Sequence, residues 1–353
     1  MKQTLKLFLL LMVAASLNAQ KNVNIDSHRF RLTYRSFPAK PQTPKFFYYS
    51  KQINMPGDTQ ASLSNIDDLY EALQIEGQRY VTDGKDADFS VTLDMSPVSF
   101  SAPEVNERVV EIKDKDGKIT GRNYYYSVIV TYSFDAKVQL KQGDKTVSTQ
   151  FAFNRLSSNL KYQTKEYSTL KDANNNWKLQ RDDVYDKIRN DLAFEAAKNA
   201  TAALSRQFGF AKSTSSEMIK TINEKKHPEN EKLREMADNL KAKLESMGPD
   251  NGLTEADVEE ELNYFKELPN RYTDPKLKAD VKLRYVGYYN VAKIYFYLDQ
   301  PEKVAEYADL LFANDHDKND GKKMKEEAAK LIESFNAMDI RTRHFDTGNY
   351  FVD

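Results

Sequence analysis

Apolar and polar positions alternate through residues 124–141. Tyr126, Val128, Val130, Tyr132, Phe134, Ala136, Val138 and Leu140 fall on one face; Ser127, Thr131, Ser133, Asp135, Lys137, Gln139 and Lys141 fall on the other. A period of two sustained this long predicts a strand with one buried and one wet face. At about 3.3 Å per residue the run would reach roughly 60 Å, several times an ordinary strand, so a bend or bulge is expected within it. Gly143-Asp144 predicts a turn into a return strand in which Val147, Thr149, Phe151 and Phe153 alternate. Upstream, Phe89, Val91, Leu93 and Met95 alternate with polar residues, and a hairpin is predicted from Arg108 to Ile119 around Asp116-Gly117. Two helices belong with these strands. Residues 65–73 carry Ile66, Leu69, Tyr70 and Leu73 at helical spacing, with Ser64 as N-cap. Residues 182–208 place Val184, Ile188, Leu192, Ala196, Ala200, Leu204 and Phe208 every fourth position, a stripe that rotates about 40° per step and should wrap obliquely across a curved sheet.

The pattern changes near Ser215, after which Lys, Glu, Leu and Ala dominate. Helices are expected at residues 217–225, 229–247, 255–268, 276–298, 302–313 and 322–338, with breaks at Pro228, Gly248-Pro249, Pro269, Pro275, Pro301 and Gly321. The fold class read from this is α+β: an N-terminal antiparallel sheet packed with helices, then an all-α domain of helical hairpins. The corresponding boundaries are a sheet domain at residues 20–210, a linker at 211–216 marked by Lys, Ser and Thr, a helical domain at 217–340 and a C-terminal tail at 341–353. The tail carries Phe345, Tyr350 and Phe351, which favours docking on the last helix over disorder.

Residues 1–19 have the layout of a secretory signal peptide: Lys2 and Lys6, an apolar run over residues 7–17, then Asn18-Ala19-Gln20 as a small-residue cleavage site. The apolar run is shorter than the roughly 20 residues that span a bilayer, so the mature chain is expected to have no transmembrane segment and to be periplasmic or secreted. The ending Leu-Asn-Ala-Gln resembles signal peptides of Bacteroidota, which implies a Gram-negative envelope. The chain has no cysteine, which excludes a lipobox anchor, disulfides and thiolate chemistry. Its 52 Lys and Arg balance 53 Asp and Glu, leaving a net charge of -1 and no basic excess for nucleic acid.

Two resemblances follow from particular residues. Tyr289-Asn-Val-Ala292-Lys-Ile-Tyr295, then Leu298-Asp-Gln-Pro301-Glu-Lys-Val304-Ala305-Glu-Tyr307-Ala308-Asp-Leu-Leu311, resembles a tetratricopeptide-type hairpin, with Ala308 and Leu311 departing from the usual aromatic and alanine. The flanking helices extend the comparison over residues 255–338; an irregular helical bundle is the other architecture the pattern allows. The element order of residues 58–210, with the strand around Phe89 to Leu93 and the closing Ala-rich helix, resembles small envelope lipoprotein domains of curli-secretion and peptidoglycan-synthase-activator proteins. An ordinary α+β sandwich fits the same order.

Candidate chemistry is sparse. Asp315, Asp317, Asn319 and Glu326 occupy positions 1, 3, 5 and 12 of an EF-hand-like calcium loop, although glycine falls at position 7 instead of 6. A solvated inter-helix loop with an Asp cap is the competing reading. Asp172 to Asn176 has similar composition and reads as a loop. Tyr285, Tyr289 and Phe296 lie on one stripe of an aromatic-rich helix; they form either core or an exposed platform for a partner or a glycan. No HExxH, GxSxG, Walker loop or GxGxxG occurs, and paired carboxylates of the glycosidase type are assembled only by a fold. The expected function is therefore binding: an envelope protein or peptide held by stacked helices, with glycan binding or carbohydrate chemistry as the alternative.

Overall fold

The computed structural model describes residues 23–154 and 160–352; the expected signal peptide lies outside them. The chain forms two compact units. One comprises residues 38–209; the other is built from both flanking segments, up to Phe37 and from Phe210 onward. The sheet unit ends at 209, beside the expected 210. Residues 23–37, however, belong to the helical unit instead of the sheet domain and residues 211–216 are not a linker, and the cause of both corrections is one strand pair.

That pair joins β1 (Ile25–Arg35) to β11 (Lys212–Ile222), antiparallel and in unbroken register from Ile25 opposite Ile222 to Arg35 opposite Lys212. The segment expected to be linker and then helix is thus a strand. Met218, Ile219 and Ile222 happen to have helical spacing, and the Ser/Thr run before them has no apolar period, so only a partner some 180 residues away decides the conformation. Phe30, Leu32, Ile219 and Ile222 are buried beneath helices α4 (Asn230–Glu245) and α6 (Lys278–Tyr297). Helix α5 (Glu259–Arg271) lies between those two in sequence, and α7 (Pro301–Ala313) and α8 (Lys318–Met338) follow. Each helix from α5 to α8 packs on the next. Their starts and ends lie within a few residues of those read from the sequence.

Close approach between these helices depends on glycine. A Cβ at Gly287 of α6 would lie 2.7 Å from the Pro269 ring and 2.9 Å from the Phe265 carbonyl of α5; one at Gly321 of α8 would lie 2.8 Å from the Ala308 carbonyl of α7. The tail folds back into this unit. Asp299, in the left-handed region at φ 58°, accepts from the Arg343 backbone N–H at 2.6 Å, from Arg343 Nε at 2.6 Å and from the Thr342 hydroxyl at 2.9 Å. Both members of the Asp299–Arg343 pair are buried. The Arg35 side chain donates to the Phe345 carbonyl at 2.8 Å, so the tail is also held to β1.

In the other unit, β2 (Tyr48–Asn54) and β4 (Phe89–Met95) are parallel, and β8 (Ala136–Gln142) and β9 (Lys145–Phe153) continue antiparallel. Between β2 and β4 come short helices α1 (Gly57–Ser62) and α2 (Ile66–Ala72) and strand β3 (Arg79–Tyr80), parallel to the β2 edge. Asn65, not Ser64, caps α2 by accepting from the Asp67 N–H. The buried face of the sheet, carrying Phe89, Val91, Leu93, Val138 and Leu140, lies against α3 (Leu170–Phe208). The expected stripe is present: Ile188, Leu192, Ala196, Ala200, Leu204 and Phe208 are buried and Val184 partly so. Helix α3 begins at Leu170, with Thr169 accepting from the Asp172 N–H, so the Asp172 to Asn176 loop is corrected to helix. Trp177, packed with Val128, Val130 and Ala173, holds that first stretch in place against its polar sequence.

The long alternating run divides at Phe134-Asp135 into β7 (Ile119–Ser133) and β8, which belong to different sheets. Strand β7 pairs with β5 (Ser99–Phe100), β6 (Glu104–Lys113) and β10 (Leu160–Gln163). Ser96 secures the corner, donating its N–H to the Asp135 carbonyl and accepting the Asp135 N–H, each at 2.8 Å. No helix among the described residues is long and apolar enough to cross a membrane.

Two substitutions test this packing. Asp299→Asn keeps a residue that tolerates φ > 0 but strands the Arg343 guanidinium in the interior; a loss of about 3–5 kcal/mol is expected in denaturant unfolding. Gly287→Ala is expected to cost about 1–3 kcal/mol, whereas Gly57→Ala, where an added Cβ meets nothing within 4 Å, should change the midpoint little.

Candidate functional site

The calcium loop expected from Asp315, Asp317, Asn319 and Glu326 is not formed. Helix α8 begins at Lys318, so Asn319 and Glu326 are on a helix, nearly two turns apart, and cannot wrap a common ion. Asp317 is the N-cap, accepting from the Asn319 N–H at 3.2 Å, and Asp315 pairs with Lys318 at 2.7 Å. Among the described residues no group of three or more His, Asp or Glu is arranged to hold a metal. The missing glycine at position 6 was the sequence signal of this outcome.

The aromatic platform is corrected as well. Tyr285 and Tyr289 are 3% and 4% exposed and belong to the core; Phe296 is partly buried against it. The Tyr285 hydroxyl donates to Asp320 Oδ2 at 2.5 Å. Burial, reinforced by the Asp320 carboxylate, raises the Tyr285 pKa far above the usual tyrosine range; Tyr289 is raised by burial and by Asp320 and Glu217. A similar node surrounds Glu229, which accepts from the hydroxyls of Tyr264 at 2.7 Å and Tyr272 at 3.2 Å and from Arg271 Nε at 2.9 Å. Burial is again the larger cause of the raised Tyr264 and Tyr272 pKa values, and the Glu229 carboxylate adds to it. The Tyr285 network is interior, and the Glu229 network is half-buried with Arg271 at its exposed edge.

What the helical unit does present is a cleft of about 910 Å³ between the start of α6, the segment preceding it, and the end of α7. Four cations line it: Lys276, Lys278, Lys282 and Arg284. Lys278 and Lys282 are one helical turn apart at the N-terminal end of α6, where free backbone N–H groups add positive potential. Arg284 is fixed in place. Its Nε donates to Asn314 Oδ1 at 2.9 Å and its Nη1 to the Tyr272 carbonyl at 2.7 Å, while Asn314 is itself anchored by donating to the Val281 carbonyl at 2.8 Å. Lys282 donates to the Val23 carbonyl.

Among the described residues none of the four cations has a carboxylate partner. The nearby carboxylates are otherwise engaged, Asp315 by Lys318 and Asp320 by Tyr285. His316 also lines the cleft, and burial together with the Lys282 charge lowers its pKa, so it is neutral at neutral pH. The remaining wall is mixed: Pro275, Val281, Tyr288, Ala313 and an exposed Leu310 are apolar, while Thr273, Asn314 and the Lys318-paired Asp315 are polar. Sequence reasoning passed over these residues. The signal was present in the basic spacing of Lys276, Lys278, Lys282 and Arg284, but surface helices are commonly lysine-rich, and only the packing of α7 against α6 makes a cleft of them.

The buried tyrosines make a testable statement about pH. Below about pH 10 folded and unfolded chains both hold these phenolic protons. Above it the unfolded chain releases them while the folded one retains them, so stability falls as pH rises. An absorbance titration of tyrosinate is expected to show one class of tyrosines ionising near pH 10 and a second, including Tyr285 and Tyr289, ionising only together with unfolding. Reversible ionisation of every tyrosine before unfolding would contradict the buried networks. No protein-family model and no curated protein matches this chain, so the reading of the cleft rests on its own geometry.

Proposed function

We propose that this is an exported protein of the cell envelope that acts by binding, its helical unit serving as an adaptor that docks a partner protein or peptide. The export reading comes from residues 1–19 and places the mature chain in the periplasm or outside the cell. The α6–α7 hairpin, which carries the tetratricopeptide-like residues Tyr289 to Leu311, supplies the docking element. One observation carries the reading: the cleft beside that hairpin brings four cations, Lys276, Lys278, Lys282 and Arg284, onto one concave surface beside the exposed Leu310, and among the described residues none of the four has an ion-pair partner. Positive charge without a carboxylate counterpart, held next to exposed apolar surface, is the composition of a recognition site. The glycan alternative loses its proposed platform, because Tyr285 and Tyr289 are interior.

A photo-crosslinking residue at Thr273, on the exposed rim of the cleft, compared with one at Lys145, the exposed first residue of β9, tests this in intact cells. One defined envelope protein is expected to be captured from Thr273 and not from Lys145. Capture of nothing, or of the same mixture from both positions, would overturn the adaptor reading.

A further inference from the structure

We infer that the occupant of this cleft is an acidic peptide segment in extended conformation, with carboxylates at alternate positions and an aliphatic side chain close by. The inference rests on the docking reading above and adds the chemistry of the partner.

Spacing is the first support. Lys278 and Lys282 are separated by about 6 Å along the α6 axis. Side chains at i and i+2 of an extended peptide are about 6.6 Å apart and point the same way. An acid-x-acid sequence therefore matches the spacing of the two lysines along the helix, the Lys282 ammonium being steadied by the Val23 carbonyl, and Lys276 extends the positive surface past the helix start. A single phosphate would meet one ammonium or the other, and the volume of about 910 Å³ exceeds its needs several times over.

Fixed geometry is the second. Arg284 is immobilised by Asn314 and the Tyr272 carbonyl before any ligand arrives, and its Nη2 has no hydrogen bond within the described residues. A pre-set guanidinium loses little entropy when it meets a carboxylate. Third, the apolar part of the wall argues for a peptide. Leu310 is 44% exposed and stands with Val281 and Ala313, a surface an aliphatic side chain would cover and an inorganic anion would not.

The test is fluorescence anisotropy with the full mature chain and a labelled synthetic peptide of alternating Glu and Leu, set against the same peptide with Gln for Glu. Saturable binding of the Glu peptide, weakening with added salt, is expected, together with a loss of about tenfold or more for the Gln peptide. The double variant Lys276→Glu/Lys278→Glu changes two exposed side chains and should weaken the Glu peptide by a similar factor with an unchanged melting temperature. Arg284→Gln offers a second route to the same loss. Equal binding of Glu and Gln peptides, or full binding by the charge-reversed protein, would overturn the acidic occupant. So would displacement of the peptide by equimolar inorganic phosphate or by a short single-stranded oligonucleotide. Capture of a partner from Thr273 with no preference for the Glu peptide would remove this inference and leave docking intact. Tight Glu-peptide binding with no partner captured in cells would instead remove docking as the cellular role.

Discussion

The pairing of Ile25–Arg35 with Lys212–Ile222 is the constraint on which the helical unit is built. A two-stranded ribbon is marginal by itself in water and gains stability by covering one face. Here Phe30, Leu32, Ile219 and Ile222 are covered by helices α4 and α6, and Arg35 at the ribbon's end holds the C-terminal tail through the Phe345 carbonyl. Separating the two strands would leave α4 and α6 without a floor and the tail without its second anchor. The cost of closing so long a loop rises only logarithmically with its length, so an intervening unit of residues 38–209 is tolerated between the two strands.

Helix α6 then links interior to surface. Gly287 lets it press against α5 at Pro269, and Tyr285, Tyr289 and Tyr297 fill the space on its inner faces, the Tyr285 and Tyr297 hydroxyls donating to Asp320 and Glu217. Its outer, N-terminal stretch carries Lys278, Lys282 and Arg284. Packing thus fixes the orientation of the cations: the helix cannot rotate without expelling buried tyrosines. This is why surface lysines on α6 act as a converging set and not as independent solvated charges.

Charge is handled differently in the interior and at the cleft. Asp299 with Arg343 and Glu261 with Lys243 place a buried carboxylate against a cation, each with further hydrogen bonds or a solvent-facing partner that offsets desolvation. At the cleft the local carboxylates are taken by Lys318 and by the Tyr285 hydroxyl, so the cations keep their field. Phe312, exposed near the same end of α7 and flanked by Lys318 and Lys322, extends the mixed basic and apolar character of that end.

Much of the local structure was legible in the chain. Alternation of Phe89 to Met95 and of Tyr126 to Leu140 gave the strands and their buried faces, the four-residue stripe from Ile188 to Phe208 gave the long helix and its contact with the sheet, and breakers such as Gly248-Pro249 and Pro301 marked the later helices, because each of these signals is written in neighbouring residues. The breaks expected at Pro269 and Gly321 instead fall inside α5 and α8, where both residues serve helix packing. The corner at Phe134-Asp135 was legible only as an excess of length; which residue turns depends on Ser96, distant in sequence. The extension of α3 to Leu170 depends on Trp177 finding Val128 and Val130, and the strand at Lys212–Ile222 depends on one near the N-terminus. The same holds for the site: four basic residues are visible in the sequence, whereas their lack of partners and the cleft they share arise from the docking of α7 on α6. Composition and periodicity therefore determined the fold class and most of the elements, since these follow from local conformational and solvation preferences; the unit boundary, the fate of the proposed calcium and aromatic sites and the basic cleft were decided by tertiary contacts, since burial and charge pairing are properties of residues that meet only when the chain has folded.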